Sequence, residues 1–272
     1  MLQPTPVDVW ASEAHVRVEH VANVRDSAAI ERIIAVGAES ALLADFGQII
    51  PRALLNHYPR GIVNLHPSLL PRHRGASPIP ATILAGDPET GVTTIVMDQG
   101  VDTGPIIAVQ HMRPSPLLTA AELELELADL AAAGVADTLA TWVRGSEAAR
   151  PQPAAGATLT ARLTRADGQI RSTTPIEIAL RMWRAYQPWP GVWIACPGLT
   201  ERLILSSVRA AEVREPVDPG RLEVRDGGLL LGLPGGALHL EQVIPAGGTA
   251  MSGVEFARGR TAELAAHGRI SE

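Results

Sequence analysis

Apolar residues first recur at helical spacing along this chain, then at strand spacing. Thr5, Pro6 and Asp8 supply an N-cap, an N1 proline and an acidic first turn. Val7, Trp10, Ala11 and Ala14 follow on one helical face. Val16 and Val18 alternate with polar residues as in a short strand, and Asp26 caps a second helix. In that helix Ile30, Ile33 and Ile34 point inward, and Gly37 ends it. Apolar strands are expected at Ala41–Phe46, Ile62–Leu65 and Val92–Met97. Thr119 and Glu122 have capping-box spacing ahead of a long helix that ends near Arg144. Strands separated by helices predict an α/β fold with a mostly parallel sheet.

The pattern then changes. Gly145–Gly156 (GSEAARPQPAAG) is rich in Pro, Ala and Gly and reads as a linker. The expected domains are 1–150 and 157–272. A helix is expected at Pro175–Tyr186, with Ile178, Met182 and Tyr186 on one face. Short apolar runs broken by Gly and Pro follow at Gly191–Ala195, Arg202–Val208, Arg221–Val224, Leu229–Leu233 and Ala237–Val243. They predict a small antiparallel barrel.

Composition narrows the chemistry. The 272 residues are 46% hydrophobic and 19% charged, enough for two real cores. All 23 basic residues are arginine, which excludes a Schiff-base lysine and a P-loop lysine. Aromatics, at 3%, are too sparse for a repeated base-stacking platform. Cys196 is the only cysteine, so no intrachain disulfide and no multi-cysteine zinc site can form. No apolar run reaches the roughly 18 residues of a membrane span. The first residues lack the form of a signal peptide, so a cytoplasmic, membrane-free protein is expected.

Two segments carry candidate chemistry. In Gly61–Pro78 (GIVNLHPSLLPRHRGASP), Asn64 and His66 lie two apart and so share a strand face. At the C-terminal end of a strand in an open α/β sheet they would face the ligand crevice. An amide N–H and an imidazolium both donate to a developing oxyanion, which suits acyl transfer. The alternative is that the pair merely satisfies loop carbonyls. In Gly91–Ile107 (GVTTIVMDQGVDTGPII), Asp102 could pair with His66 and steer a proton. Otherwise it forms an Asx turn closed by Gly104. Asp98 reads as a turn residue.

Together these motifs resemble the 10-formyltetrahydrofolate-dependent formyltransferases. The likeness rests on Asn64-x-His66, on Ser68–Gly75 (SLLPRHRG) and on Asp102-Thr103-Gly104. Phe46–Pro51 (FGQIIP), Ala85–Val92 (AGDPETGV) and Met97–Gly104 (MDQGVDTG) are similar to the methionyl-tRNA branch of the family. So are Leu163–Arg165, Arg184–Gly191 (RAYQPWPG) and Pro245–Ser252 (PAGGTAMS). The resemblance implies a Rossmann-like sheet followed by an OB-like barrel that binds tRNA. It implies 10-formyltetrahydrofolate as formyl donor, initiator methionyl-tRNA as acceptor, and no metal. It makes Asn64 and His66 the groups that polarise the formyl oxygen, and Asp102 the partner of His66 that moves the proton. The pterin would lie against Phe46, Gly47, Ile49, Ile50, Met97 and Asp98, with Ser68, Leu69, Leu70 and Pro71 closing the other side.

The chain departs from the family at three places. Family sequences begin upstream of the Leu2–Pro6 motif with a strand–helix–strand unit and a basic loop, so a truncated sheet is expected. Gly248 and Thr249 replace paired lysines, and Ile170-Arg171-Ser172 replaces an acidic motif. Residues 1–150 carry 10 Arg against 17 acids, net −7, and residues 151–272 carry 13 against 12, net +1. That is a weak footprint for RNA unless Arg162, Arg165, Arg171, Arg258 and Arg260 cluster. A formyltransferase for a small amine such as an amino-sugar nucleotide, and a catalytically weak paralogue, stay open as alternatives. For the truncated sheet, either the Val16 strand crosses to pair with Ala41–Phe46, or residues 1–24 pack loosely and another chain covers the edge.

Overall fold

A computed structural model describes residues 4–146 and 148–272. Helix α1 (Pro6–Glu13) starts on the expected Thr5 N-cap and N1 proline, and Thr5 and Asp8 bond reciprocally in a capping box. Its apolar face is not buried: Val7 is 67% and Trp10 61% exposed, and only Ala11 is covered. Residues 12–20 are all exposed. Val16 and Val18 form no strand, because no strand edge lies beside them to complete a ladder. Instead the Gln48 side chain receives the Val24 N–H and donates to the Ala22 carbonyl. Helix α2 (Ser27–Ile34) then packs Ile30, Ile33 and Ile34 against Val24, Leu54, Tyr58 and Ile62.

The first sheet has the order β1-β2-β4-β5. Strand β1 (Ala41–Leu43) is shorter than expected, since Asp45 takes φ +45 and turns the chain before Phe46. After the short helix α3 (Arg52–Leu55), β2 (Ile62–His66) pairs parallel with β1. The chain runs through β3 (Arg74–Gly75) and α4 (Pro78–Ala85) to β4 (Thr90–Val96) and β5 (Ile106–Met112). The sheet is therefore α/β and mixed. β1–β2 is its parallel pair, whereas β4 is antiparallel to both β2 and β5. A parallel β4–β5 pair would need a crossover of a dozen or more residues, and residues 97–105 are too few for one. Among the described residues β1 has a strand partner on one side only, so the Val16 segment has not crossed to it. Helix α5 (Ala120–Val143), on its Thr119–Glu122 capping box, packs Leu123 and Leu127 against Val92.

Residues 148–158 lead to β6 (Leu159–Thr160), which pairs parallel with β3. Helix α6 (Ile176–Ala185) buries Ala179, Met182 and Ala185, with Tyr186 beyond its end. Ile178, expected on that face, is 37% exposed, because the buried stripe follows the 179, 182, 185–186 spacing. The antiparallel unit comprises β7 (Trp193–Cys196), β8 (Thr200–Ala210), β9 (Leu222–Arg225), β10 (Gly228–Leu233), β11 (Gly236–Pro245) and β12 (Met251–Ser252). Its order is β7-β8-β11-β10-β9, with β12 on β11. Helices α7 (Gly253–Arg258) and α8 (Thr261–His267) follow. Residues 268–271 then bridge the gap from β9 to β7, through Leu222 N to Gly268 O and Ser271 N to Ala195 O. The curled sheet encloses Ile194, Leu203, Leu205, Leu229, Leu231, Leu238 and Phe256.

The two halves meet where α4 packs on α6. Ile83 and Leu84 reach the second core, and Arg181 donates to the Leu84 and Ala85 carbonyls at the end of α4. A cation there also complements the helix dipole.

Candidate active site

Strand β2 delivers Asn64 and His66 to one face at its C-terminal end. His66 is 3% exposed, and its Nε2–H donates to the His73 carbonyl at 2.8 Å. The ring edge left for chemistry is Nδ1, which faces Asp102 Oδ2 at 3.6 Å, too far for a direct hydrogen bond. The other carboxylate oxygen lies 3.4 Å from Asn64 Nδ2. Asp102 sits at φ +50, a left-handed conformation that aspartate tolerates better than most residues. The Gly75 amide donates to its Oδ2 at 2.8 Å. Residues from two separate strands, β2 and β3, therefore converge on one carboxylate. Burial pulls the His66 imidazole below its ordinary value of 6.5, and Asp102 opposes that shift. Burial thus favours the neutral ring.

The Asp102 loop is tightly seated. Gly104 passes so close to the Val96 carbonyl that a Cβ would stand 1.8 Å from its oxygen. Asp98 receives the Gly100 amide and the Thr103 hydroxyl, so it forms the expected turn. A small cleft beside it is lined by Ile95, Met97, Asp98, Gly100 and Asp102.

The remaining sequence candidates divide. Phe46 and Ile49 are 41% and 73% exposed, whereas Ile50 is buried in a cluster with Val24, Leu54, Tyr58 and Ile62 against which Met97 also packs. Arg52, just after the first of these loops, donates to Gln99 in the 97–102 loop. Gly47 has open space around its Cα. Ser68 and Leu70 point inward: the Ser68 hydroxyl donates to Arg72 O, and Leu70 packs with Ile95 and Ile106. Leu69 and Pro71 are half-buried in the same loop.

Sequence reading missed four contributors. His73 supplies the carbonyl that orients His66, and its own ring pairs with Asp87 at 2.6 Å, as does Arg72. Thr93 donates to Ser68 O and receives the Leu70 amide, pinning the 68–71 loop to β4. Gln152 bonds to the carbonyls of both Asp102 and Gly104. His73 and Arg72 lie within SLLPRHRG, Asp87 within AGDPETGV and Thr93 within GVTTIVMDQGVDTGPII, but no side-chain pattern singled any of them out.

Residues 3–139 match the formyl transferase family, and residues 162–261 match the formyl transferase C-terminal domain. The chain belongs to the formyl transferase family. It is 35% identical over 260 residues to the methionyl-tRNA formyltransferase of Chloroflexus aurantiacus, covering 95% of this chain and 83% of that one. A solved methionyl-tRNA formyltransferase from Clostridium thermocellum superposes with TM-score 0.56 at 22% identity, over 70% of this chain and 80% of that one. HypX from Aquifex aeolicus, solved with tetrahydrofolic acid, gives TM-score 0.64 at 17% identity, over 86% of this chain and 40% of that one. As a formyl transferase, the chain has the α/β sheet followed by a curled antiparallel sheet that its family resemblance implied, although its first sheet is mixed rather than mostly parallel.

Proposed function

We propose that this formyl transferase moves the formyl group of 10-formyltetrahydrofolate to the α-amine of initiator methionyl-tRNA, in the cytoplasm. The observation that carries the mechanism is the convergence of Asn64, His66 and the Gly75 amide on Asp102. The identity to methionyl-tRNA formyltransferases over nearly the whole chain selects the acceptor.

The chemistry requires two donors for an oxyanion and one path for a proton. Asn64 Nδ2 carries two N–H groups, so it can hold Asp102 and donate to the formyl oxygen together. His66 has committed Nε2–H to His73, so before transfer the ring takes up a proton from solvent at Nδ1, donates from there to the formyl oxygen and keeps that proton through the reaction. Asp102 stands beside that atom to offset the charge. The amine nitrogen bonds to the formyl carbon, and the bond from that carbon to N10 breaks. The proton lost by the amine passes by way of Asp102 and ordered water to N10. The side chains serve to hold a neutral amine against an activated carbonyl.

The exposed apolar surface of Phe46 and Ile49, and the cleft lined by Met97 and Asp98, are the groups offered to an aromatic pterin ring. Gly47, Ile50 and Asp98 belong to the same two loops. From the 68–71 loop it is half-buried Leu69 and Pro71, not the inward Ser68 and Leu70, that are left to close the other side. For the RNA, exposed Arg165 stacks over Trp189, which is 53% exposed, at 5.6 Å from the ring centroid. Exposed Arg162 is close in sequence, whereas Arg171 donates to the Glu272 carbonyl. No helix among the described residues is long and apolar enough to cross a membrane.

The test is incubation of the chain with 10-formyltetrahydrofolate and either initiator methionyl-tRNA or nucleotide-linked amino sugars. Formyl-methionyl-tRNA is expected, and formylation of the amino sugar alone would overturn the assignment.

A further inference from the structure

Residue 152 lies between the two stretches that match the family, in a segment whose composition reads as a plain linker. Its side-chain amide is nonetheless fully occupied. Gln152 Nε2 donates to the Asp102 carbonyl and to the Gly104 carbonyl, each at 2.8 Å. Oε1 receives Arg74 Nε at 3.0 Å and Arg74 Nη2 at 2.6 Å. Two N–H groups and two lone pairs exhaust what a primary amide offers. A flipped amide would set oxygen against two carbonyls and NH2 against a guanidinium, so the network fixes its orientation.

The backbone around Gln152 is fastened as well. Arg150 and Ile106 exchange both backbone hydrogen bonds, at 2.7 and 2.8 Å. Downstream, Thr158 receives the Arg74 amide and donates to Pro71 O, and Thr160 Oγ1 bonds to Arg74 O. Residues 150–160 therefore form a strap across the outside of the catalytic loops. Arg74 adjoins Gly75, whose amide holds the Asp102 carboxylate, so one side chain ties both loops that set this group.

We infer that Gln152 is a positioning residue for formyl transfer: its amide clamps the 102–104 turn so that Asp102 meets His66 and the Gly75 amide. The clamp is needed because Asp102 is held in a left-handed conformation, which neighbouring structure has to enforce. Gln152 itself has no part in the chemistry. It acts through Asp102, and the inference takes the role of Asp102 from the proposed function.

Two variants of the full chain test this. Gln152→Glu keeps the length and the acceptor for Arg74 but has no N–H to donate; Gln152→Met fills the space with neither bond. Both are expected to lower kcat about tenfold, with KM for tRNA and for folate within about twofold, as misplacement of a catalytic group does. The Gly75 amide, observed by NMR hydrogen exchange, is expected to exchange about tenfold faster in both variants, since its acceptor is no longer held. Wild-type kcat or wild-type Gly75 protection in Gln152→Glu would overturn the clamp. A space-filling role would leave Gln152→Met unaffected, which would overturn it too. If the unaltered chain formylates no tRNA, the proposed function fails, whereas Gly75 exchange still decides the clamp.

Discussion

Asp102 accepts the Gly75 amide at 2.8 Å through the same carboxylate oxygen that faces His66 Nδ1 at 3.6 Å. A backbone donor in the 74–75 strand thus sets the distance between carboxylate and imidazole. Asp102→Asn keeps the shape but removes the charge beside Nδ1. Formyl transfer is expected to fall about 10²-fold or more, as loss of a proton-transfer group commonly causes. Steady-state formylation with an unchanged circular-dichroism spectrum checks it.

Gly75 has φ +103, and a Cβ there would stand 2.3 Å from the Thr160 carbonyl oxygen. Gly75→Ala must strain its own backbone and push β6 away from β3. The cost is expected to be roughly 1–3 kcal/mol, the range for a residue forced into unfavourable backbone space. Urea unfolding of the variant beside the unaltered chain measures it. Activity should fall with stability, because the Asp102 acceptor contact moves as well.

The buried His66 gives stability a pH dependence with a definite sign. Its folded value is lowered by burial, so below 6.5 the unfolded chain takes a proton that the folded chain resists. The stability due to neutral His66 is present above 6.5 and is lost as pH falls through the folded value. Denaturation midpoints should therefore drop on acidification from pH 7, and less so in His66→Gln. Equal slopes in the two proteins would count against the burial argument.

Cys196 is buried, its thiol donates to the His267 and Arg269 carbonyls, and burial pushes it up to about 11. The thiolate is the reactive form, so native protein at pH 8 should resist iodoacetamide while urea-unfolded protein is alkylated. Mass spectrometry before and after denaturation reads the difference. Rapid native alkylation would place the 268–271 tail away from β7.

What could be read from sequence was what depends on neighbours along the chain. The Thr5 N-cap and the Thr119–Glu122 capping box depend on four consecutive residues and formed as expected. The shared face of Asn64 and His66 follows from strand alternation alone. Amphipathicity marked Val7 and Trp10 as one face, but it cannot say whether anything covers that face, and here it is exposed. The Val16 segment alternated correctly yet does not pair with the open edge of β1, because alternation does not say where a strand will lie. His73 acts on His66 through a backbone carbonyl, which every residue carries and no side-chain pattern reveals. Gln152 finds its partners 48, 50 and 78 residues away, beyond any local pattern.

The central claim is that Asn64 and His66 donate to the formyl oxygen as Asp102 carries the proton. Its most direct measurement is single-turnover transfer from 10-formyltetrahydrofolate to initiator methionyl-tRNA by the unaltered chain and by His66→Ala. The account predicts measurable transfer by the unaltered chain and a loss of about 10²-fold or more in the variant, with tRNA binding retained. Transfer by His66→Ala at the unaltered rate would contradict it.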